Sequence, residues 1–362
     1  MSTTTVQPTD GFVIDDSAPR WQMSPLTKRR WANFKANKRG YFSLWAISIM
    51  MVLSFFAEFI ANDKPLIMGY NGSLYVPVLV SYPETEFGGV FETEARYTSH
   101  AVQDLIDAGD GWMIWPLIPF SYDTIDLYTE GAVPEAPSAR HWLGTDDVGR
   151  DVTARIIYGF RLSILFGLAL TFFSSIIGIA IGATQGYFGG LVDLIGQRLV
   201  EIWAGLPVLF LIIILTSMIE PNPYVLLGLL LLFNWMSLVA VVRAEFLRTR
   251  NFDYVNAARA LGETDSVIIV KYVLPNAMVA TLTFLPFLLN GSITTLTSLD
   301  FLGFGLPAGY PSLGELLAQG KANIQAPWLG LSGFFTLAIM LTLLVFVGEA
   351  VRDAFDPRRS AT

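Results

Sequence analysis

Residues 252–275 read FDYVNAARALGETDSVIIVKYVLP, a short charged stretch set between two long apolar runs. From Asp253 onward Tyr254, Ala257, Ala258 and Leu261 recur at i, i+3, i+4 and i+7, one apolar stripe of a helix, with Asp253, Asn256 and Arg259 on the other side. The alanines let such a helix sit deep in a groove with little loss of side-chain entropy. Gly262 falls where a residue of positive φ ends a helix, and Thr264 or Asp265 is placed to cap a second one. That second helix runs through residues 267–274 to Pro275, at the mouth of the next apolar run. Two helices joined at a glycine and coupled to a membrane helix make a lever for a soluble partner. The same pattern also describes a loop packed on the protein's own underside, and patterning leaves both readings open.

The rest of the chain is built for lipid. Of its 362 residues 53% are hydrophobic and 15% charged, with a mean hydropathy of +0.50, whereas soluble domains carry roughly 25% charge. Six runs approach the ~20 apolar residues that a bilayer core requires: 41–61, 163–183, 202–219, 224–242, 276–296 and 329–348. Short of a closed barrel, only helices satisfy the backbone inside lipid. The expected fold class is therefore all-α and polytopic, with six transmembrane helices. The expected organisation is a tail with an amphipathic basic segment (1–40), a first span (41–61) and an external segment of mixed or irregular structure (62–161). A core of five helices (162–348) follows, including the charged loop 243–275, and then a short tail (349–362). The first run is expected to persist as a helix, because a long polar tail precedes it and no small-residue cleavage pattern follows Ala61.

Basic residues set the orientation. Lys28, Arg29, Arg30, Lys35, Lys38 and Arg39 precede the first run, Arg243, Arg248, Arg250, Arg259 and Lys271 lie between the fourth and fifth, and Arg352, Arg358 and Arg359 follow the sixth. Both termini and the charged loop are thus expected on the cytoplasmic side. Arg155 and Arg161, just ahead of the second run, go against the rule. Around residues 25–40 the basic side chains interleave with Trp31, Phe34 and Tyr41, as in a helix lying on lipid headgroups. The external segment is acidic, which reads as a solvated face.

Catalytic chemistry finds little footing. Cysteine is absent, which removes disulfides and thiolate sites. His141 stands near Asp146 and Asp147 without a second histidine, too few ligands for a metal, so a hydrogen-bonded turn is expected and no metal. Gly291-Ser292 offers a serine, yet no apolar run holds a histidine or lysine base. The stretch 314–322 has the wrong spacing for a phosphate loop. Polar groups inside lipid mark a path or an interhelical bond; Asn234 and Asn290 are the candidates, and Pro207 and Pro286 are candidate hinges.

The charged loop resembles the cytoplasmic EAA loop of ATP-binding-cassette importer permeases, patterned E-A-A-x(3)-G-x(9)-I-x-L-P. Ala257, Ala258, Gly262, Leu274 and Pro275 match it, Asn256 stands at the glutamate position and Tyr272 at the isoleucine position. His141-Trp-Leu-Gly-Thr-Asp-Asp-Val-Gly-Arg-Asp151, Ile157-Tyr-Gly159, Leu302-Gly-Phe-Gly305, Ala326-Pro-Trp328 and Val351-Arg-Asp-Ala-Phe-Asp-Pro357 resemble signatures of the C-type dipeptide/oligopeptide permease subunits, over roughly residues 140–359. The long external segment, headed by Ala61-Asn-Asp-Lys-Pro65, resembles the subgroup that imports microcin C and related peptides in Gram-negative bacteria.

The resemblance implies a type I importer permease of MetI-like fold in the bacterial inner membrane, paired with a second permease subunit. Two ATPase subunits that carry ATP and Mg, and a periplasmic peptide-binding protein, would complete it. No cofactor on this chain and no nucleic-acid partner are expected. In that scheme Asp253, Tyr254, Asn256, Ala257, Ala258, Arg259, Leu261 and Gly262 form the loop seated in the ATPase groove, and Leu274 and Pro275 pass its motion to the fifth helix. Rival readings are a permease for nickel or a glycopeptide, and a channel or secondary transporter. The latter usually shows mid-membrane ionisable residues or repeated halves.

Overall fold

The structure, a computed structural model, describes residues 25–129, 131–219 and 222–355. The tail expected over 1–24 and the chain from 356 onward, with Arg358 and Arg359, lie outside the described residues. The chain begins with α1 (Pro25–Ala36), α2 (Lys38–Phe55) and the single turn α3 (Ala57–Ile60). A head segment follows, carrying β1 (Ile67–Tyr70), β2 (Ser73–Tyr75), α4 (His100–Ala108) and β3 (Trp112–Ile114). Then come α5 (Val152–Phe188), α6 (Gly190–Ala204), α7 (Val208–Met218), α8 (Pro223–Asn234), α9 (Met236–Thr249) and α10 (Asp253–Ala260). The last elements are α11 (Asp265–Val267), α12 (Leu274–Phe301), α13 (Leu313–Ala322) and α14 (Pro327–Phe355).

Among the described residues three helices are long and apolar enough to cross a membrane: Val152–Phe188, Asp265–Phe301 and Pro327–Phe355. Two further apolar helix pairs are bent at a short break. The run expected over 202–219 belongs to α6 and α7, which meet at 67°. Gly205 and Pro207 stand at that break, and proline lacks the N–H that would continue the helix. The run expected over 224–242 divides into α8 and α9 at 41°, with no proline at the bend. There the indole N–H groups of Trp203 and Trp235 both donate to the Leu232 carbonyl, at 2.9 and 2.8 Å. Side chains that claim a carbonyl of the helical ladder bend the helix. The run expected over 41–61 is α2 and then α3. Pro286 lies inside α12 without breaking it, so of the two hinge candidates only Pro207 marks a break.

The most extensive helix contact is between α5 and α9, and glycine makes it possible. A Cβ on Gly178 would stand 2.7 Å from the Trp235 carbonyl oxygen, one on Gly182 2.8 Å from that of Val239, and one on Gly186 2.5 Å from Phe246 Cβ. The four-residue spacing lines these glycines into one groove, the small-residue packing that lets membrane helices touch backbone to backbone. Gly182→Leu is therefore expected to force α5 and α9 apart, at about 1–3 kcal/mol or more. The signs to look for are aggregation in size-exclusion chromatography and a lower apparent Tm in detergent. Gly228→Leu on α8, where a new Cβ meets nothing within 4 Å, should behave as wild type.

The head has its own small core. Strands in the order β2-β1-β3, all antiparallel, cover a cluster of buried residues including Met68, Phe87, Tyr97, Val102 and Ile106. Side-chain bonds sort the helix ends into two groups. Asn37 donates to Asp353 at 3.1 Å, Arg30 lies over the Phe355 ring, and the Tyr187 hydroxyl donates to Asp265 at 2.6 Å. These gather the start of α2, the end of α14, the end of α5 and the start of α11. At the opposite ends, with the head, Arg161 pairs with Glu58 at 2.9 Å, Arg155 with Glu315 at 2.6 Å, and the Trp328 indole donates to the Thr145 carbonyl.

Candidate coupling site

Helix α10 is short, and its ends are well specified. Asp253 puts a negative charge in the first turn, where the helix dipole favours it. Gly262 adopts φ +85°. Its N–H donates to the Arg259 carbonyl at 3.1 Å, and the Glu263 N–H to the Ala258 carbonyl at 3.2 Å. This pair of bonds is the Schellman closure, which needs a residue in the left-handed region. Thr264 stands at the start of α11 but makes no side-chain cap bond; Asp265 is occupied by Tyr187 instead.

From α11 the chain does not pause. Residues Ile268–Val273 are wound as a π-helix and lead directly into α12, so that Asp265–Phe301 is one continuous helix of 37 residues. Pro275 has no N–H to return to the carbonyl four residues back, and the wide π turn lies immediately before it. The sequence placed the second helix of the loop ahead of a separate span; the two are a single rod.

Helix α10 turns two faces to different surroundings. Val255 and Ala258 are buried and pack with Ala183 and Tyr187 of α5, Val242 and Phe246 of α9, and Ile268 and Val273 of the π turn. The apolar stripe read from the sequence is thus divided. Ala258 belongs to the inward face with Val255, which the sequence reading passed over. Tyr254, Ala257 and Leu261 face outward, Leu261 at 85% exposure. One side of α10 thus packs on the protein's own underside, and the other presents an exposed apolar ridge.

Polar bonds fasten α10 and its flanks to two long helices. Asn276 on α12 donates to the Tyr254 hydroxyl at 2.6 Å. Arg250 donates to the last carbonyls of α5, those of Gly186 and Tyr187, at 3.3 and 3.2 Å, where a cation suits the helix C-terminus. Arg259 lies 5.8 Å from the Tyr187 ring centre. Asn256 is exposed and donates to the Asn251 carbonyl at 3.3 Å. Leu274 packs at the edge of the buried cluster, and Pro275 is exposed.

The polar candidates inside the bundle make interhelical bonds. Asn234 donates to Ser174 on α5 and Ser292 on α12 at 3.3 and 3.2 Å, and Asn290 to the Leu341 carbonyl of α14 at 3.0 Å. Ser292 has as partners the Thr171 hydroxyl and the Asn234 amide; neither can take its proton. No group of three His, Asp or Glu side chains is set to hold a metal among the described residues.

At the head end the signature loop before α5 carries a dense charge cluster. His141 is fully buried, its Nδ1 2.8 Å from Asp151 and its Nε2 3.2 Å from Asp126. The sequence had set it beside Asp146 and Asp147; Asp146 pairs with Arg150 instead, at 2.6 Å. Burial alone favours the neutral ring, but the hydrogen bonds and charges of Asp151 and Asp126 outweigh it and hold the His141 pKa above its ordinary value. A group whose pKa is higher folded than unfolded lends stability that is complete below its unfolded value, about 6.5, and is lost as pH rises through the raised folded value. The head junction is therefore expected to resist limited proteolysis better at about pH 5.5 than at about pH 8.5. The difference is about 1.4 kcal/mol for each unit by which the pKa is raised. A His141→Gln variant should lose that dependence.

Comparisons with known proteins place the chain in a family. Residues 156–361 match the family described as binding-protein-dependent transport system inner membrane component, and residues 24–80 match the N-terminal TM domain of oligopeptide transport permease C. The chain is 56% identical over 361 residues to the peptidoglycan transport system permease protein YejE of Agrobacterium fabrum, covering 93% of this chain and 94% of that one. It is 57% identical over 339 residues to the inner membrane ABC transporter permease protein YejE of Escherichia coli, covering 94% and 99%. To the oligopeptide transport system permease protein OppC of Haemophilus influenzae it is 33% identical over 241 residues, covering 66% and 77%. The chain belongs to the binding-protein-dependent transport system inner membrane component family, non-catalytic permease subunits of ATP-binding-cassette transporters whose ATP hydrolysis resides on partner subunits.

Proposed function

We propose that this chain is one permease half of an importer that carries short peptides across the bacterial inner membrane. It crosses six times, with both termini and α10 in the cytoplasm and the head in the periplasm. Support for the crossing count comes from α2, from the three long helices and from the two bent pairs. The sorting of helix ends by their side-chain bonds agrees with it. The peptide assignment rests on relatives named for oligopeptide, dipeptide and peptidoglycan transport. Within it, microcin C-like peptides are the narrower reading drawn from the long external segment.

The observation that carries the proposal is the division of α10. Its inner face is bonded into α5, α9 and the rod Asp265–Phe301, while Tyr254, Ala257 and Leu261 form an exposed ridge at the foot of that rod. An ATPase groove seated on the ridge would push a helix that runs through the membrane without a joint. ATP and Mg stay on that partner; a second permease completes the pathway, and a periplasmic binding protein delivers the peptide. The test is reconstitution of this chain with its companion permease and ATPase in proteoliposomes. Uptake of a labelled tetrapeptide should require ATP and the binding protein. Uptake by the isolated permease, driven by a proton gradient alone, would overturn the reading.

A further inference from the structure

The head contains a cleft of about 700 Å³, within the range of about 300–1,000 Å³ usual for small-molecule sites. One wall is the stretch 93–99, ahead of α4. The other is the strap 120–128, which leads toward the signature loop, and residues 63 and 64 close one end.

Its charges divide into those already satisfied and those left over. Lys64 pairs with Glu94 at 2.5 Å, and Arg140 with Asp126 at 2.8 Å. Asp63, Asp123 and Arg96 also line the cleft, and none of the three is in an ion pair among the described residues. Asp63 accepts a hydrogen bond from the Thr124 hydroxyl at 3.0 Å. Burial pushes its carboxyl up, and the nearby Asp123 carboxylate adds to the shift. Two neighbouring acids thus have no cation bonded to them, since Lys64, whose charge reaches Asp63, is held by Glu94, and a guanidinium on the facing wall has no anion bonded to it. Asp63 is half-buried, while Asp123 and Arg96 reach solvent at the cleft mouth, so a ligand that supplies the missing sign gains charge-assisted hydrogen bonds at each.

We infer that this cleft binds the free termini of a short peptide, its ammonium between Asp63 and Asp123 and its carboxylate on Arg96. The inference rests on the importer reading above and adds to it a docking site on the permease itself, apart from the membrane pathway. The volume favours a peptide of a few residues over a single amino acid. The cleft also touches the transport machinery: Asp126 on its wall is bonded to His141, which is bonded to Asp151, and Asp151 accepts the Ala154 N–H at the start of α5.

The experiment is calorimetric titration of the purified chain in lipid nanodiscs with tetraalanine, with N-acetyl-tetraalanine and with tetraalanine amide. Saturable binding of the free peptide is expected, weakened at least tenfold by blocking either end. Arg96→Gln should weaken the free peptide at least tenfold and leave the amide unchanged, and Asp63→Asn should do the same for the free and acetylated peptides respectively. Equal binding of free and blocked peptides, binding indifferent to both substitutions, or none at all would overturn the inference. Tetraalanine uptake by the reconstituted transporter separates the two readings. Uptake without cleft binding sinks only the cleft, and cleft binding without ATP-dependent uptake sinks only the importer.

Discussion

Gly262→Asp is expected to leave the chain inserted and folded in the membrane while abolishing capture of its ATPase and, with it, peptide uptake. A Cβ at position 262 meets nothing within 4 Å, so the substitution creates no clash. It costs the left-handed backbone, φ +85°, about 1–2 kcal/mol for an ordinary residue and less for Asp or Asn, which visit that region. The larger effect is at the surface. The new carboxylate stands beside Leu261, whose side chain is 85% exposed, and would have to be desolvated if the ridge enters an apolar groove. Losing a central contact of this type costs about 2–4 kcal/mol, or roughly 30- to 1,000-fold in affinity. The measurement is co-purification of tagged ATPase from detergent extracts, with uptake in vesicles. Gly262→Asn, which keeps the backbone and adds no charge, should retain most of both. If Asn and Asp lose capture equally, the turn matters and the ridge does not; if neither does, α10 is not the docking element.

The sequence made the two-helix loop legible because its parts are local. Periodicity marks α10, and Gly262 marks its end. Its inner face was less visible, since a single valine, Val255, decides which side of so short a helix is buried, and the burying partners come from α5 and α9, far away in the chain. The division of Ala257 outward from Ala258 inward has the same cause. Breaks in the membrane helices were half legible. Pro207 announces one, but the bend at Trp235 depends on Trp203, which no window on α8 would include. The glycines at 178, 182 and 186 carried a readable four-residue signal of close packing that composition alone concealed inside a long apolar run. Asn234 and Asn290 could be singled out as polar groups in lipid, but only the positions of Ser174, Ser292 and the Leu341 carbonyl reveal where their amides donate. Arg155 and Arg161, the two cations that go against the orientation rule, have partners distant in sequence, Glu315 and Glu58. A cation committed to an acid at the head end no longer acts as a free topological charge.

Arg155 carries the second large effect. Its side chain is fully buried at the start of α5, donating to Glu315 on α13 at 2.6 Å and to the Tyr122 and Tyr310 carbonyls at 3.3 and 3.2 Å, with Asp146 at 3.6 Å. One guanidinium thus joins the strap, the signature loop, α5 and the loop before α13. Arg155→Met keeps much of the volume but strands a fully buried Asp146 and the inner oxygen of Glu315. Breaking a buried ion pair in this way costs about 3–5 kcal/mol. Arg150 remains on both acids, at 2.6 and 3.0 Å, so the low end of that range is expected, near 3 kcal/mol. The apparent Tm in detergent should fall by roughly 5–10 °C. Adding Glu315→Gln to Arg155→Met removes one stranded charge and should recover part of the loss, whereas Glu315→Gln alone should destabilise. That opposite sign in the two backgrounds is the signature of a coupled pair. If the double variant is instead as unstable as the sum of the singles, Arg155 acts by packing and its charge does not hold the head to the bundle.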